Sequence, residues 1–132
     1  MTTENREQAD ALFSQAMQEL ERCRSAWASG NAGKGRVGAR RAAGMAIRAY
    51  LKLKPDPAYG TNFMHHLAGV ADNEGHPVAL RESAHRLAAR GWPENGFVAP
   101  VPEPLEPAAD AASIIAWFRE HCTSVTAESV EG

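Results

Sequence analysis

The sequence predicts an all-α protein, an up-and-down bundle of four to five helices in a single domain. Its 132 residues include 25 alanines but seven valines and three isoleucines, so the best helix former far outnumbers the β-branched residues that favour strands. Apolar residues also recur at the helical period along several segments. A chain of this length buries roughly two-thirds of its unfolded surface, so its core requires neither disulfides nor metal.

Two long helices are predicted in the first half of the chain. The first spans residues 5–27, where apolar side chains fall on one narrow stripe, and a glycine-rich turn from Ser29 to Gly35 ends it. The second spans residues 36–53 and ends before Pro55. Its alanines share a broad face that allows close approach of a neighbouring helix; they are Ala39, Ala42, Ala43 and Ala46.

Shorter helices are predicted in the second half. The third spans residues 62–72, and the fourth begins at Pro77 and ends at Gly91, a favoured capping residue. Five prolines lie between residues 92 and 107, which predicts an extended loop. A fifth helix follows over residues 108–122. The single domain therefore covers residues 5–122, and the polar stretch 123–132 is predicted to be a flexible tail.

Cysteine usage and hydropathy indicate a cytoplasmic protein. Cys23 and Cys122 lie far apart without a C-x-x-C spacing, which is typical of reduced, buried thiols. The polar start of the chain is unlike a secretory signal, and no stretch approaches the ~20 apolar residues that cross a bilayer. We therefore expect no membrane association.

Two sequence motifs that could indicate ligand binding are predicted to have structural roles instead. The run Gly33–Gly38 matches G-x-G-x-x-G, but a helix precedes it where a dinucleotide site needs a strand, so it is expected to be a turn. Lys34 and Arg36 beside a helix N-terminus leave weak anion binding open. His65 and His66 diverge by about 100° on a helix and do not share one ion with His76. Neither a metal nor a cofactor is predicted.

A basic second helix is the strongest functional signal. Residues 22–55 contain nine basic residues and no acidic residue. Three interpretations stay open: a solvated or internally balanced face, a protein interface, and a nucleic-acid surface. Val37, Gly44 and Leu51 lie among the arginines, and such a mixed patch is typical of an interface, which predicts a homodimer. The predicted binding residues are Lys34, Arg36, Arg40, Arg41, Arg48 and Lys52.

Across residues 8–122 the chain resembles HEPN-domain proteins. The similarity lies in the helix order, in the alanine-rich second helix from Ala39 to Leu51 and in the Asn62–Leu67 stretch of the third. It implies a compact, usually dimeric bundle that acts in toxin–antitoxin, defence or RNA-processing settings. Some members are metal-independent RNases with an R-x4-6-H motif, and others are non-catalytic partners of nucleotidyltransferases. No histidine follows any arginine of this chain at that spacing.

The sequence therefore predicts a non-catalytic, HEPN-like bundle that self-associates. It is expected to bind a partner protein, for which the resemblance suggests a nucleotidyltransferase, or nucleic acid, through the basic face of the second helix. The alternative is a degenerate RNase that uses Arg81 and His85. These residues stand four positions apart on the fourth helix, where their side chains share a face, and histidine transfers protons near neutral pH.

Overall fold

The computed structural model describes residues 3–88 and 107–131, and side chains as far as Cys122 in the last helix. The described chain forms five α-helices and one 3-10 turn, without a strand. The helices pack as an up-and-down bundle, so the predicted fold class is confirmed. Their bounds are α1 Thr3–Ala28, α2 Ala32–Leu53, α3 Phe63–Asp72, α4 Val78–Ala88 and α5 Pro107–Glu131, with the 3-10 turn η1 at Pro57–Tyr59.

A tight turn joins α1 to α2. Gly30 adopts a φ of +88°, which ends α1, and the Asn31 side chain accepts a hydrogen bond from the backbone N–H of Lys34 at 3.1 Å. This N-cap starts α2 four residues before the predicted position. Gly33 and Gly35 therefore lie inside the helix. Gly35 faces α1, and a Cβ at this position would lie only 3.3 Å from the Trp27 ring. The absence of a side chain therefore allows the two helices to pack closely here.

The second helix is the central helix of the bundle. It packs against α1 on one side, α5 on another and α3 on a third. Gly38 brings α2 close to α1, because a Cβ there would lie 3.3 Å from that of Cys23. The Cys23 thiol donates a hydrogen bond to the Gly35 carbonyl at 3.1 Å. The four alanines predicted to share a face are fully buried, and so is a fifth alanine of this helix: Ala39, Ala42, Ala43 and Ala46, with Ala49 in addition.

Two capped segments position α3. Asp56 accepts a hydrogen bond from the Ala58 N–H at 2.9 Å and starts η1. Gly60, with a φ of +66°, then reverses the chain, and Asn62 caps α3 by accepting from the His65 N–H at 2.8 Å. These caps hold η1 against the outer face of α3, where Tyr59 lies over Gly69.

The fifth helix closes the core. Ile114 and Phe118 are fully buried, and the Phe118 ring contacts the Tyr50 ring edge-on with 5.2 Å between centroids. The backbone stays helical to Glu131, whereas the sequence predicts a flexible tail from residue 123. No proline or glycine occurs between Cys122 and Glu131, so nothing in that stretch breaks the helix. Most of the predicted proline-rich loop, residues 92–106, lies outside the described residues.

Candidate functional site

One side of α2 carries a row of mainly basic residues, and the buried residues 42–47 divide this row into two parts. Its residues follow the helical period, and we call them the basic stripe. The stripe spans 19 residues, from 34 to 52, which is a length of about 27 Å along the helix axis. Each member is exposed except Arg48, which is half-buried. The basic stripe consists of Lys34, Val37, Arg41, Arg48 and Lys52.

Three cations of the stripe face solvent. Lys34 and Lys52 are exposed, and neither makes an ion pair with any described residue. The Arg41 Nε lies 4.0 Å from Glu19 Oε2 of α1, and this exposed arginine gains little from so long a contact. Arg36 is exposed as well, but it points roughly 160° away from Lys34 around the helix axis. Of the predicted binding residues, Lys34, Arg41 and Lys52 therefore lie exposed on one side of α2, with the buried residues 42–47 between Arg41 and Lys52.

Arg40 forms a contact between two helices of the bundle. Its Nε donates a hydrogen bond to the Leu87 carbonyl at 2.7 Å, and the side chain is half-buried. That carbonyl belongs to the last turn of α4, where backbone acceptors lack partners within the helix. The residue therefore connects α2 to the end of α4 and contributes less charge to the surface than the helical pattern predicts.

Arg48 is also engaged by neighbouring groups. Its guanidinium lies 4.3 Å from the centroid of the Phe63 ring, a cation–π distance, and its Nη2 donates to the Thr61 carbonyl at 3.1 Å. Its Nε donates weakly to His66 Nε2 at 3.4 Å. Arg48 thus ties α2 to the start of α3, and it covers the Phe63 ring.

The mixed patch predicted for dimerisation does not form on the described surface. Val37 is exposed, but Gly44 is buried and Leu51 is half-buried. A Cβ on Gly44 would lie 2.5 Å from Phe63 Cβ, so α3 occupies that position. The helical pattern places Gly44 outside the alanine face correctly, but it does not show that another helix covers it. Homodimer formation therefore remains a prediction, and this patch no longer supports it.

A second polar cluster surrounds Tyr59, which the sequence patterns do not single out. The Tyr59 hydroxyl accepts from Asn73 Nδ2 at 3.0 Å and lies 2.7 Å from His76 Nε2. The backbone carbonyl oxygen of Tyr59 lies 2.7 Å from His66 Nδ1. On the far side, the His76 ring meets Trp117 of α5 edge-on at 4.9 Å between centroids. The only local signal for this cluster is the set of capping residues around it, at positions 56, 62 and 73.

Burial changes the titration of this cluster. The pKa of His66 is lowered by desolvation, and nearby Arg48 and His65 act in the same direction. The pKa of His76 is lowered by desolvation, and then by His121 and Arg81. Burial raises the pKa of Tyr59, so its hydroxyl keeps its proton.

The alternative catalytic residues do not form a pair. Arg81 is half-buried, and its Nε donates to the Ala71 carbonyl at 3.0 Å, which ties α4 to the end of α3. His85 is exposed and makes no hydrogen bond to Arg81 or to any other described residue. The two side chains share a helix, but the geometry gives the arginine a structural contact and leaves the imidazole in solvent.

The described residues offer little support for a metal site or for a reactive thiol. No cluster of three or more His, Cys, Asp or Glu side chains there could hold a metal ion. Cys23 and Cys122 are both buried and free of disulfides. Burial raises the pKa of the Cys122 thiol to about 12, which suppresses its thiolate. None of the described helices is sufficiently long and apolar to span a bilayer.

The fold defines a class, an all-α bundle whose central helix exposes a basic stripe. Comparison of the chain with models of protein families, with curated proteins and with solved structures finds no match. The evidence on function therefore comes from the exposed surface of the bundle.

Proposed function

We propose that this protein is a non-catalytic, HEPN-like binding module that docks an acidic surface of a partner protein against the basic stripe of α2. The observation that carries the proposal is that the exposed side chains of Lys34, Arg41 and Lys52 lie on one side of a helix that contains no acidic residue. Fixed positive charges on a rigid helix attract a complementary surface and set its orientation.

The composition of the stripe favours a protein over nucleic acid. Val37 lies among the cations with 53% of its surface exposed, and an apolar residue within a charged rim is typical of protein interfaces. Single-stranded nucleic acid is bound largely by stacking on exposed aromatic rings. The Phe63 ring is covered by Arg48, and the rings of Trp27 and Tyr50 are half-buried. The resemblance to HEPN proteins makes a nucleotidyltransferase the first partner to consider.

Catalysis is not part of the proposal. An RNase that used Arg81 would need its guanidinium at the substrate phosphate, but that group is bonded to the Ala71 carbonyl. The exposed His85 has no second polar group held beside it among the described residues.

Charge reversal tests the proposal, with fluorescein-labelled poly-L-glutamate as a probe for an acidic polypeptide surface. The variant Lys34→Glu/Arg41→Glu/Lys52→Glu removes the stripe. The control Arg6→Glu/Arg24→Glu/Arg119→Glu changes the net charge equally on the α1–α5 side, where these arginines line two shallow clefts. By fluorescence anisotropy at low salt, we expect the stripe variant to raise the Kd at least about tenfold and the control to raise it less than about threefold.

Two outcomes would contradict the proposal. Equal losses in both triple variants would show that net charge alone drives binding, without a specific surface. Tighter binding of a labelled 20-nucleotide RNA, lost in the stripe variant, would assign the surface to nucleic acid instead. Circular dichroism of each variant at the same concentration checks that the helices remain folded.

A further inference from the structure

Tyr59 joins three parts of the chain through two histidines. The residue lies in η1 and is 5% exposed. Its backbone carbonyl meets His66 of α3, and its hydroxyl meets His76 in the turn between α3 and α4. The His76 ring in turn packs against Trp117 and Phe118 of α5. The attachment of η1 and the α3–α4 turn to the bundle therefore depends on two imidazoles.

The hydrogen bonds around His76 are all satisfied when its Nε2 carries no proton. Asn73 Nδ2 donates to the Tyr59 hydroxyl oxygen, so the hydroxyl hydrogen is available to the 2.7 Å contact with His76. In that arrangement His76 Nε2 accepts the hydrogen bond and carries no proton. A proton on Nε2 would oppose the hydroxyl hydrogen and leave it without an acceptor in a buried site.

The hydrogen bonds around His66 lead to the same conclusion. A carbonyl oxygen can only accept, so the 2.7 Å contact with the Tyr59 carbonyl requires a proton on His66 Nδ1. Nε2 then carries the lone pair and faces Arg48 Nε at 3.4 Å. A second proton, on Nε2, would place two cations against each other in a residue that is 2% exposed.

The charged surroundings offer no compensation for protonation. His66 is faced by Arg48 from α2 and by His65 from α3. His76 is faced by Arg81 from α4 and by His121 from α5. All four neighbours are basic, and the group that opposes them is the uncharged Tyr59 carbonyl, whose hydrogen bond raises the pKa of His66. The Asp56 carboxylate raises the pKa of Tyr59.

We propose that Tyr59, His66 and His76 form an acid-sensitive junction that holds η1 and the α3–α4 turn on the bundle at neutral pH and releases them when the imidazoles are protonated. The α1–α2 pair stays packed during this opening, because residues 3–53 contain no histidine and their interface is built from small apolar side chains.

The sign of the pH dependence follows from the lowered pKa values. A histidine whose pKa is lower in the closed state than its ordinary 6.5 stabilises that state fully above pH 6.5. This contribution is lost as the pH falls from 6.5 toward the lowered value. Over that interval the open fraction rises by up to about tenfold per pH unit for each histidine.

Amide hydrogen exchange of the full chain tests the junction. We expect protection factors of residues 59–76, corrected for intrinsic exchange, to fall at least about tenfold between pH 7.0 and 5.0 relative to those of α1 and α2. The variant His66→Asn/His76→Gln should abolish this fall, because asparagine reproduces the Nδ1 donor and glutamine reproduces the Nε2 acceptor without titrating. The control His85→Gln, at an exposed position on α4, should retain it.

NMR titration of the histidine Cε1 protons in the unmodified protein gives a second readout, which does not depend on the folding of the variant. The buried His66 and the half-buried His76 should both titrate below pH 6.5. Titration of either at or above 6.5 would overturn the junction. Loss of protection in His66→Asn/His76→Gln equal to that of the unmodified protein would overturn it too.

Discussion

Single glycines determine how closely the helices approach. Gly35 and Gly38 allow α1 to pack on α2, and Gly44 does the same for α3. The contact at Gly44 is the most severe, because the atoms that a new Cβ would meet are Phe63 Cβ and Cγ, both within 2.5 Å. The Cγ atom can move by side-chain rotation, but the Cβ atom moves only if the backbone of α3 moves.

A pair of glycine substitutions tests this packing. We expect Gly44→Ala to lower the free energy of unfolding by about 1–2 kcal/mol, since the steric cost exceeds the higher helix propensity of alanine. Gly33→Ala is the matched control, because a Cβ there meets no atom within 4 Å, and it should raise the free energy of unfolding by up to about 1 kcal/mol. Urea unfolding measures both. A stabilising Gly44→Ala would show that α3 does not lie where the structure places it.

The sequence predicts the positions of side chains around α2 better than their partners. The helical period correctly separates the buried alanines from Lys34, Arg41 and Lys52. It also places Arg40 and Arg48 outside the alanine face, but their contacts are with Leu87 and Thr61. A periodic pattern describes one helix, whereas these contacts depend on where other elements end.

At the scale of elements, an ion pair connects α4 to α5. Arg86 donates from Nε to Asp110 Oδ2 at 3.0 Å and from Nη2 to Oδ1 at 2.7 Å, a bidentate geometry. The Asp110 side chain is 12% exposed and lies in the first turn of α5, where a carboxylate also favours the helix dipole. The hydrogen bond to Asp110 raises the pKa of Arg86, which keeps its charge.

Removal of this carboxylate should destabilise the bundle. We expect Asp110→Ala to lower the free energy of unfolding by about 1–2 kcal/mol, because it removes two charge-assisted hydrogen bonds of a partly exposed arginine. Glu82→Ala is the control, since that carboxylate is 63% exposed and 3.9 Å from the same arginine; it should change stability by less than about 0.5 kcal/mol. Equal effects in thermal or urea unfolding would rule out a special contribution from Asp110.

Local sequence signals predict the ends of the helices more accurately than they predict the contacts between elements. Proline, glycine and asparagine signals place the ends of α2 and α3 within four residues. Tyr59, by contrast, collects its partners from positions 66, 73 and 76, and no spacing rule brings these together. Its role depends on the reversal at Gly60 and the packing of η1 over Gly69, which are tertiary features.

At the scale of the whole molecule, the small net charge of -2 conceals a strong asymmetry. Residues 22–55 hold nine basic residues and no acidic ones, whereas the other 98 residues hold five basic and 16 acidic residues. The fold neutralises part of the basic segment, through Glu19 and Glu21 of α1, which pair with Arg22 and Arg24 at 2.6 Å. Of the five other exposed basic side chains in this segment, Lys34, Arg41 and Lys52 belong to the basic stripe, whereas Arg36 and Lys54 lie outside it.

Chemical-shift mapping tests the role of the basic stripe most directly. In an NMR titration of the 15N-labelled protein with poly-L-glutamate at low salt, we expect the amide shifts to concentrate at Lys34, Val37, Arg41 and Lys52, and to shrink as salt is added. The opposite side, where Ala112 and Ala116 of α5 line a cleft beside α1, should remain unchanged. Shifts concentrated on that side, or spread equally over both, would contradict the assignment of α2 as the docking surface.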